Sequence, residues 1–481
     1  MAAALALAAL SLLRPYALAF DPWAWVVWGR EAGRLELDTS SGPSWKPFPV
    51  LFTTPLALFG DAAPALWLVV ARAGGLLALA GAFALGRRLA GAWAGVAAAA
   101  VMALSPWWAF NNALGNSEGL LAAAVLWAVV AHLAGHHRWA LAGLTAAALM
   151  RPEVWPFLAG YGYWLWREQR AWVIASGATV LALWFGPDVV GAGGALDATK
   201  AGRGTPSPES AKADDVPVLA LLWDTATLFT LPALIAAAFA TGRTERRIAL
   251  GAAAWVAIVA VMTLAGFAGN PRYLVAAASL GAVLAGVGAV RAAAWAAARR
   301  RAAPAAASPP AGPAATPAGT AAATAAASPR EPRLAAPLGA AAASPPTARL
   351  AAPLGAALLV AAVLAVTLGE LRDQSHELTA RAESSAQFDG VLARAGGAEA
   401  LQRCARIRSS ARSRSLVAFK LDLPMRDLDA PPRPPAVVIR ARWFYGEGMQ
   451  PPVGPGYRTL VSTPYWQIVA ACGDAPQVEA D

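Results

Sequence analysis

Asp21 lies directly after the first apolar segment, in the stretch Phe20-Asp21-Pro22-Trp23-Ala24-Trp25-Val26-Val27-Trp28-Gly29-Arg30-Glu31, and its carboxylate is the first candidate for chemistry. Taken alone, the stretch also reads as a helix start, with Asp at the N-cap and Pro at the first helical position. Its tryptophans suit a membrane–water boundary, where an apolar ring carries a polar N–H. Four further places put ionisable groups at the ends of apolar runs, where charge is costly unless it is paired or faces water. Asn116-Ser117-Glu118 is either a helix cap or a polar loop ending in a working carboxylate. Met150-Arg151-Pro152-Glu153 interrupts a long apolar run with opposite charges two residues apart, which reads as a lipid-phosphate grip by Arg151 or as an ion pair with Glu153. Arg272-Tyr273 follows Asn270-Pro271 at the start of another run, and Lys46 sits between Trp45 and Pro47, each suited to anchoring on a headgroup. Arg72 and Asp224 read as partners for one another inside the bundle.

Other chemistries find little support. The four histidines are His132, His136, His137 and His376; three of them crowd one loop junction and no HExxH spacing occurs, so a histidine-based hydrolase or a zincin is not indicated. The two cysteines, Cys404 and Cys472, form no CxxC pair; they read either as a disulfide suited to an oxidising compartment or as two separate buried thiols. Whatever the reaction, carboxylates and cations carry it.

The elements that must position these groups are membrane helices. The chain has 481 residues, 57% hydrophobic and 14% charged, with mean hydropathy +0.47, against about 25% charged in a soluble domain. The net charge of +10 falls in short clusters between apolar runs, which indicates membrane topology and no nucleic-acid partner. A first helix before Asp21 and apolar segments at 65–86, 90–105, 118–135, 139–150, 153–167, 171–186, 217–240, 248–268, 273–292 and 353–369 make about eleven spans. If each crosses, Arg87-Arg88, His137-Arg138, Arg167 with Arg170, Arg243 with Arg246-Arg247, and Arg299-Arg300-Arg301 share the cytoplasmic side. Asp21, Arg30, Lys46, Glu118, Arg151, Glu153, Arg272 and Tyr273 then share the outer side.

The expected organisation is a transmembrane core over 1–294 with an outer loop at 21–64, then a disordered cytoplasmic Ala/Pro-rich loop at 295–352. A last transmembrane helix at 353–369 leads to a small extracytoplasmic α/β domain at 370–481. In that domain 384–403 reads as helix, and Leu416 to Leu423, Ala436 to Tyr445 and Trp466 to Ala471 read as strands.

This polytopic α-helical arrangement resembles the GT-C superfamily of membrane glycosyltransferases that use polyprenyl-phosphate sugars. The resemblance rests on an Asp just beyond the first helix, a long first outer loop, the Asn116-Ser117-Glu118 loop, the Arg151-Pro152-Glu153 break and a final outer domain. Phe20-Asp21-Pro22-Trp23 is similar to the Asp-Pro-Trp signature of oligosaccharyltransferase subunits, but the Asn-Tyr-Arg that follows there is absent, as is the acceptor motif of their soluble domain. Asp21 to Glu31 with Ser44 to Val50 resembles uncharacterised actinobacterial membrane proteins of this class. The resemblance implies that Asp21 acts as general base on an acceptor hydroxyl. Arg151, Arg272 and Lys46 would bind the donor phosphate. Glu118, with Glu153, Tyr273 and Arg30, would orient the acceptor or a divalent ion such as Mg or Mn.

The expectation is an inverting transfer of a monosaccharide, hexose or pentose, from a polyprenyl-phosphate donor to a cell-envelope glycan, lipid or protein outside the plasma membrane. A lipid-linked sugar flippase or other polytopic transporter is the alternative; internal repeats, frequent in transporters, are not evident between the halves of the bundle.

Overall fold

Apolar runs can cross a bilayer only where every backbone group is satisfied internally, and a helix achieves this within one segment. Helices are what these runs form in a computed structural model, which describes residues 1–191, 210–302, 346–404, 406–428, 433–442 and 448–472. The Ala/Pro-rich loop expected to be disordered falls largely at 303–345, outside the described residues.

The chain opens with α1 (Ala2–Leu10), then α2 (Phe20–Gly33) and α3 (Pro47–Leu56), which fill the long first loop. Next come α4 (Ala63–Ala90), α5 (Ala92–Ala103), α6 (Pro106–Ala113), α7 (Glu118–Leu133) and α8 (His137–Ala148). After these run α9 (Trp155–Gly191), α10 (Pro217–Leu228), α11 (Leu231–Ala237), α12 (Arg243–Leu264), α13 (Val275–Ala302) and α14 (Pro346–Arg394). By length and composition, five described stretches can cross a membrane, or six if the bent pair α5 and α6 counts as one span. Ala2–Leu13 and Glu118–Leu133 are shorter apolar helices.

Two of the long stretches are not straight. Gly60 (φ 54, ψ −125) separates α3 from α4. α9 breaks at Gln169 (φ −141, ψ 37), and a Cβ placed on Gly162 would come within 2.9 Å of Val173. Eleven residues of straight helix would hold those positions about 16 Å apart, so the chain reverses at Gln169. Trp155 and Trp184, near opposite ends of α9, accordingly stack edge to face at 5.7 Å and both donate to the Ala148 carbonyl.

α14 is 49 residues long, about 74 Å at 1.5 Å per residue, more than twice a bilayer core. Its first half is apolar and its second half, from Glu370 on, is charged, so one continuous helix leads from the bundle into the C-terminal region. That region holds α15 (Gly397–Cys404), α16 (Arg414–Lys420) and the strands β1 (Arg406–Ser409), β2 (Ala436–Arg442), β3 (Met449–Gln450), β4 (Arg458–Ser462) and β5 (Trp466–Ala471). The sheet order is β1-β2-β5-β4, with β3 also on β2; β1 runs parallel to β2 and the other pairs are antiparallel. Phe388 of α14 packs on Trp466 at 4.5 Å, and the Trp466 indole donates to the Ser384 carbonyl.

One expected strand is corrected: Leu416 to Leu423 forms no strand, and α16 occupies most of it. Its Leu, Val and Phe suit either state; docking decides, because the helix places Ser415, Leu416, Val417 and Ala418 inside the core and turns its C-terminal carbonyls toward Arg30. β1, β3 and β4 are short and were not expected. The expected Ala436 to Tyr445 strand is described as far as Arg442, with 443–447 outside the described residues.

The C-terminal region is joined to α2 along its length. Arg30 donates to the carbonyls of Phe419 (3.2 Å) and Leu423 (3.1 Å) and pairs with Asp422 at 2.8 Å. Arg34 holds Asp422 bidentately, Ser415 donates to the Phe20 carbonyl, and Arg426 pairs with Asp38. Trp23 lies against Phe419 at 5.4 Å. The sheet domain and the first turn of α2 therefore lie on the same side of the bundle.

Candidate active site

Asp21 occupies the first turn of α2 and is 6% exposed. Two cations meet the same oxygen, Oδ2: Lys46 Nζ at 3.1 Å and an Arg272 Nη2 at 3.0 Å. Behind them Arg151 pairs with the fully buried Glu118. The Arg151 guanidinium lies 4.4 Å from the centre of the Tyr273 ring, and Lys46 Nζ lies 5.1 Å from that of Trp25, arrangements in which a π face steadies a cation. Residues far apart in the chain thus form one cluster with three cations and two carboxylates.

Proline explains how the helices release these side chains. A residue before proline is pushed out of the α region, and Lys46 (φ −137, ψ 106) precedes Pro47 while Arg151 (φ −147, ψ 126) precedes Pro152. Asn270 (ψ 142) precedes Pro271, so Arg272 enters on a 3-10 turn rather than from the helix body. Local contacts then lock the pieces together. The Phe48 N–H donates to Leu149 O, tying Lys46 to the Arg151 break, and the Ala19 N–H donates to Leu114 O, tying the start of α2 to the loop before Glu118. A Cβ on Gly29 would meet Thr53 backbone at 2.5 Å, so only glycine lets α2 and α3 approach this closely; there the Thr53 hydroxyl donates to Trp25 O.

Burial disfavours the charge on Asp21, but Arg272 and Lys46 outweigh that and hold it well below the usual carboxylate range. It is ionised at any working pH. Burial and the neighbouring Arg151 draw Lys46 down to about 8 despite Asp21. Among the described residues, Glu118 Oε2, Arg151 Nε, Glu153 Oε2 and Trp25 Nε1 are buried without a hydrogen-bond partner. Buried polar atoms are normally satisfied; two of these belong to the Glu118–Arg151 pair itself.

The structure brings Asp21, Lys46, Glu118, Arg151, Arg272 and Tyr273 together. Glu153 is buried beside the Arg151 break, but Arg151 turns to Glu118. Arg30 lies elsewhere, in the clasp with α16. Arg72 donates to Ala113 O and to Ser11, not to Asp224 as the sequence suggested. Cys472 is in a disulfide; the side chain of Cys404, the chain's other cysteine, lies outside the described ones. Trp25 was not singled out as Lys46's neighbour. A signal for four members of the cluster was present, since Asp21-Pro22, Lys46-Pro47, Arg151-Pro152 and Pro271-Arg272 all place a charge beside a proline.

A divalent ion does not fit this donor set. Both carboxylates already face cations that outnumber them, which suits an incoming anion and opposes another positive charge. Among the described residues no three His, Cys, Asp or Glu side chains are placed to share a metal ion.

The sequence matches no protein-family profile and no curated protein. Among solved structures the fold is similar to that of ArnT from Cupriavidus metallidurans in the apo state, with TM-score 0.56 and 14% identity over 97% of this chain and 96% of that one. It is similar also to ArnT bound to undecaprenyl phosphate, with TM-score 0.54 and 14% identity over 99% and 98% of the two chains.

Proposed function

We propose that the chain is a GT-C-type membrane glycosyltransferase that moves a monosaccharide from a polyprenyl-phosphate donor to a cell-envelope acceptor on the outer face of the plasma membrane. The observation that carries this reading is the buried cluster in which Lys46 and Arg272 share one oxygen of Asp21. The likeness to a fold that has been seen holding undecaprenyl phosphate supports it. So does the apolar bundle, whose described helices include five or six stretches able to cross a membrane; we keep the about eleven crossings expected from the sequence, with the reversal at Gln169 making two of them. On this topology Asp21 and the sheet domain both face outward, and the Cys404–Cys472 pairing suits that side.

The chemistry follows from the charges. An acceptor hydroxyl attacks the anomeric carbon, the bond from that carbon to the phosphate oxygen breaks, and Asp21 takes the hydroxyl proton. The departing phosphate needs cations rather than an acid, and Lys46, Arg272 and Arg151 supply them. Without donor, Asp21 is a weak base because two cations hold it. A donor phosphate competes for those cations, relaxes their grip on Asp21 and makes its carboxylate more basic when the sugar is in place. Glu118 holds Arg151 in place, and the ring of Tyr273 backs it.

The test is incubation of the purified chain in lipid nanodiscs with radiolabelled polyprenyl-phosphate sugars and an envelope extract. Label should pass to an envelope component, and chelator should leave the rate unchanged. Translocation of intact donor without any transfer would support the transporter instead.

A further inference from the structure

A second feature adjoins the site at the seam between α2, α14 and the sheet domain. A cavity of about 130 Å³ is lined there by residues 17–20 and Trp23, by Arg381, Ser384 and Ser385 of α14, by Arg412 and Ser413, and by Arg442 and Trp466 of the sheet. Phe20 on its wall immediately precedes Asp21, and the Phe20 carbonyl is held by Ser415. Three arginines and three serines are among its lining residues, and none of the described lining residues is acidic. Arg381 is fixed by Glu377 and lies over the Phe110 ring at 5.4 Å. Such a lining favours an anion, which arginine binds through paired N–H donors and serine through its hydroxyl. Trp23, Phe20 and Trp466 add aromatic surface of the kind on which the apolar face of a sugar ring can rest.

We propose that this seam cavity binds an anionic sugar residue, carrying a phosphate or carboxylate group, of the acceptor. That it is the acceptor which binds here rests on the transferase reading above; that the cavity prefers an anionic saccharide does not. Its place explains why the sheet domain is clasped to α2: the domain supplies Arg442 and Trp466, and the clasp holds them beside the turn that carries Asp21. The anionic group comes either with a free saccharide or with a lipid headgroup, and the experiment separates these sources.

The full chain in phosphatidylcholine nanodiscs is titrated calorimetrically with glucose 1-phosphate, methyl glucuronide and neutral methyl glucoside. A parallel set of nanodiscs containing phosphatidic acid tests whether a lipid phosphate competes. Arg412 is partly exposed and Arg442 exposed, so the double variant Arg412→Gln, Arg442→Gln should keep the fold. The expected result is binding of an anionic probe, weaker binding of the neutral one, and a loss of at least about tenfold in the double variant. Competition by phosphatidic acid identifies a lipid headgroup as the source, and its absence identifies a free saccharide. Binding of no anionic probe or lipid, or binding that the double variant leaves intact, overturns the proposal. In the transfer assay the double variant should raise the acceptor KM and leave the donor KM alone; a fall in kcat with both KM values unchanged overturns the acceptor assignment.

Discussion

Asp21, Lys46 and Arg272 form a set in which each group alters what the others can do. Lys46 is the one whose charge changes within reach of ordinary assays, since its pKa lies near 8. The cation is present below that pH and is lost above it. The donor's kcat/KM, which reports the free enzyme, should therefore fall as pH rises through about 8. Lys46→Arg should move that limb upward, because a guanidinium stays protonated. A limb that stays in place in the variant assigns the titration to another group. The charged residues at this scale were legible because charge at the edge of an apolar run is conspicuous and because four of them adjoin prolines. Their pairing was less so. Arg151 had Glu153 two residues away, yet the proline between them directs Arg151 to Glu118, a choice made by the tertiary approach of α7 and the α8–α9 break.

At the scale of elements, α2 carries Asp21 at one end and the clasp at the other. Arg30 is mostly buried and donates to three carbonyls, those of Ala418, Phe419 and Leu423, whereas Asp422 is 58% exposed. Arg30→Ala should cost about 2–3 kcal/mol and lower activity, since α2 then loses its hold on α16. Asp422→Asn should cost less than about 1 kcal/mol, the usual range for an exposed pair; unfolding midpoints of the two variants, compared side by side, check the ranking. Glu31, at the same end of α2, is pushed up to about 7 by burial, against the pull of the Asp38 N–H. A carboxyl whose folded value is raised contributes stability below its ordinary value and loses that contribution as pH rises through the folded one. Glu31→Gln should accordingly raise the unfolding midpoint at about pH 8 and leave it nearly unchanged at about pH 4; an equal effect at both pH values contradicts this. Arg30 was expected among the site residues because the topology puts it on the same side as Asp21, but the order of crossings cannot show which domain will dock on it. The same blindness made a strand of Leu416 to Leu423.

For the whole molecule, the apolar segments were readable because a bilayer demands about 20 apolar residues for each crossing, although five or six described stretches, not about eleven, are long and apolar enough to cross. The small sheet was harder: strands of two to seven residues carry little pattern of their own. A likeness of fold at 14% identity, with no family match in sequence, follows from the same physics. An Ala- and Leu-rich bundle can exchange most side chains for others of similar volume, while the few buried charges are fixed by the partners they need. The proposed transfer therefore turns on one carboxylate. Transfer of label from polyprenyl-phosphate sugar to envelope acceptor, measured for the parent chain and for Asp21→Asn at equal amounts of folded protein in nanodiscs, tests it directly. The expected rate in the variant is lower by about 10²- to 10⁴-fold, the usual worth of a positioned base, with donor still bound; transfer at the parental rate would contradict the assignment of Asp21.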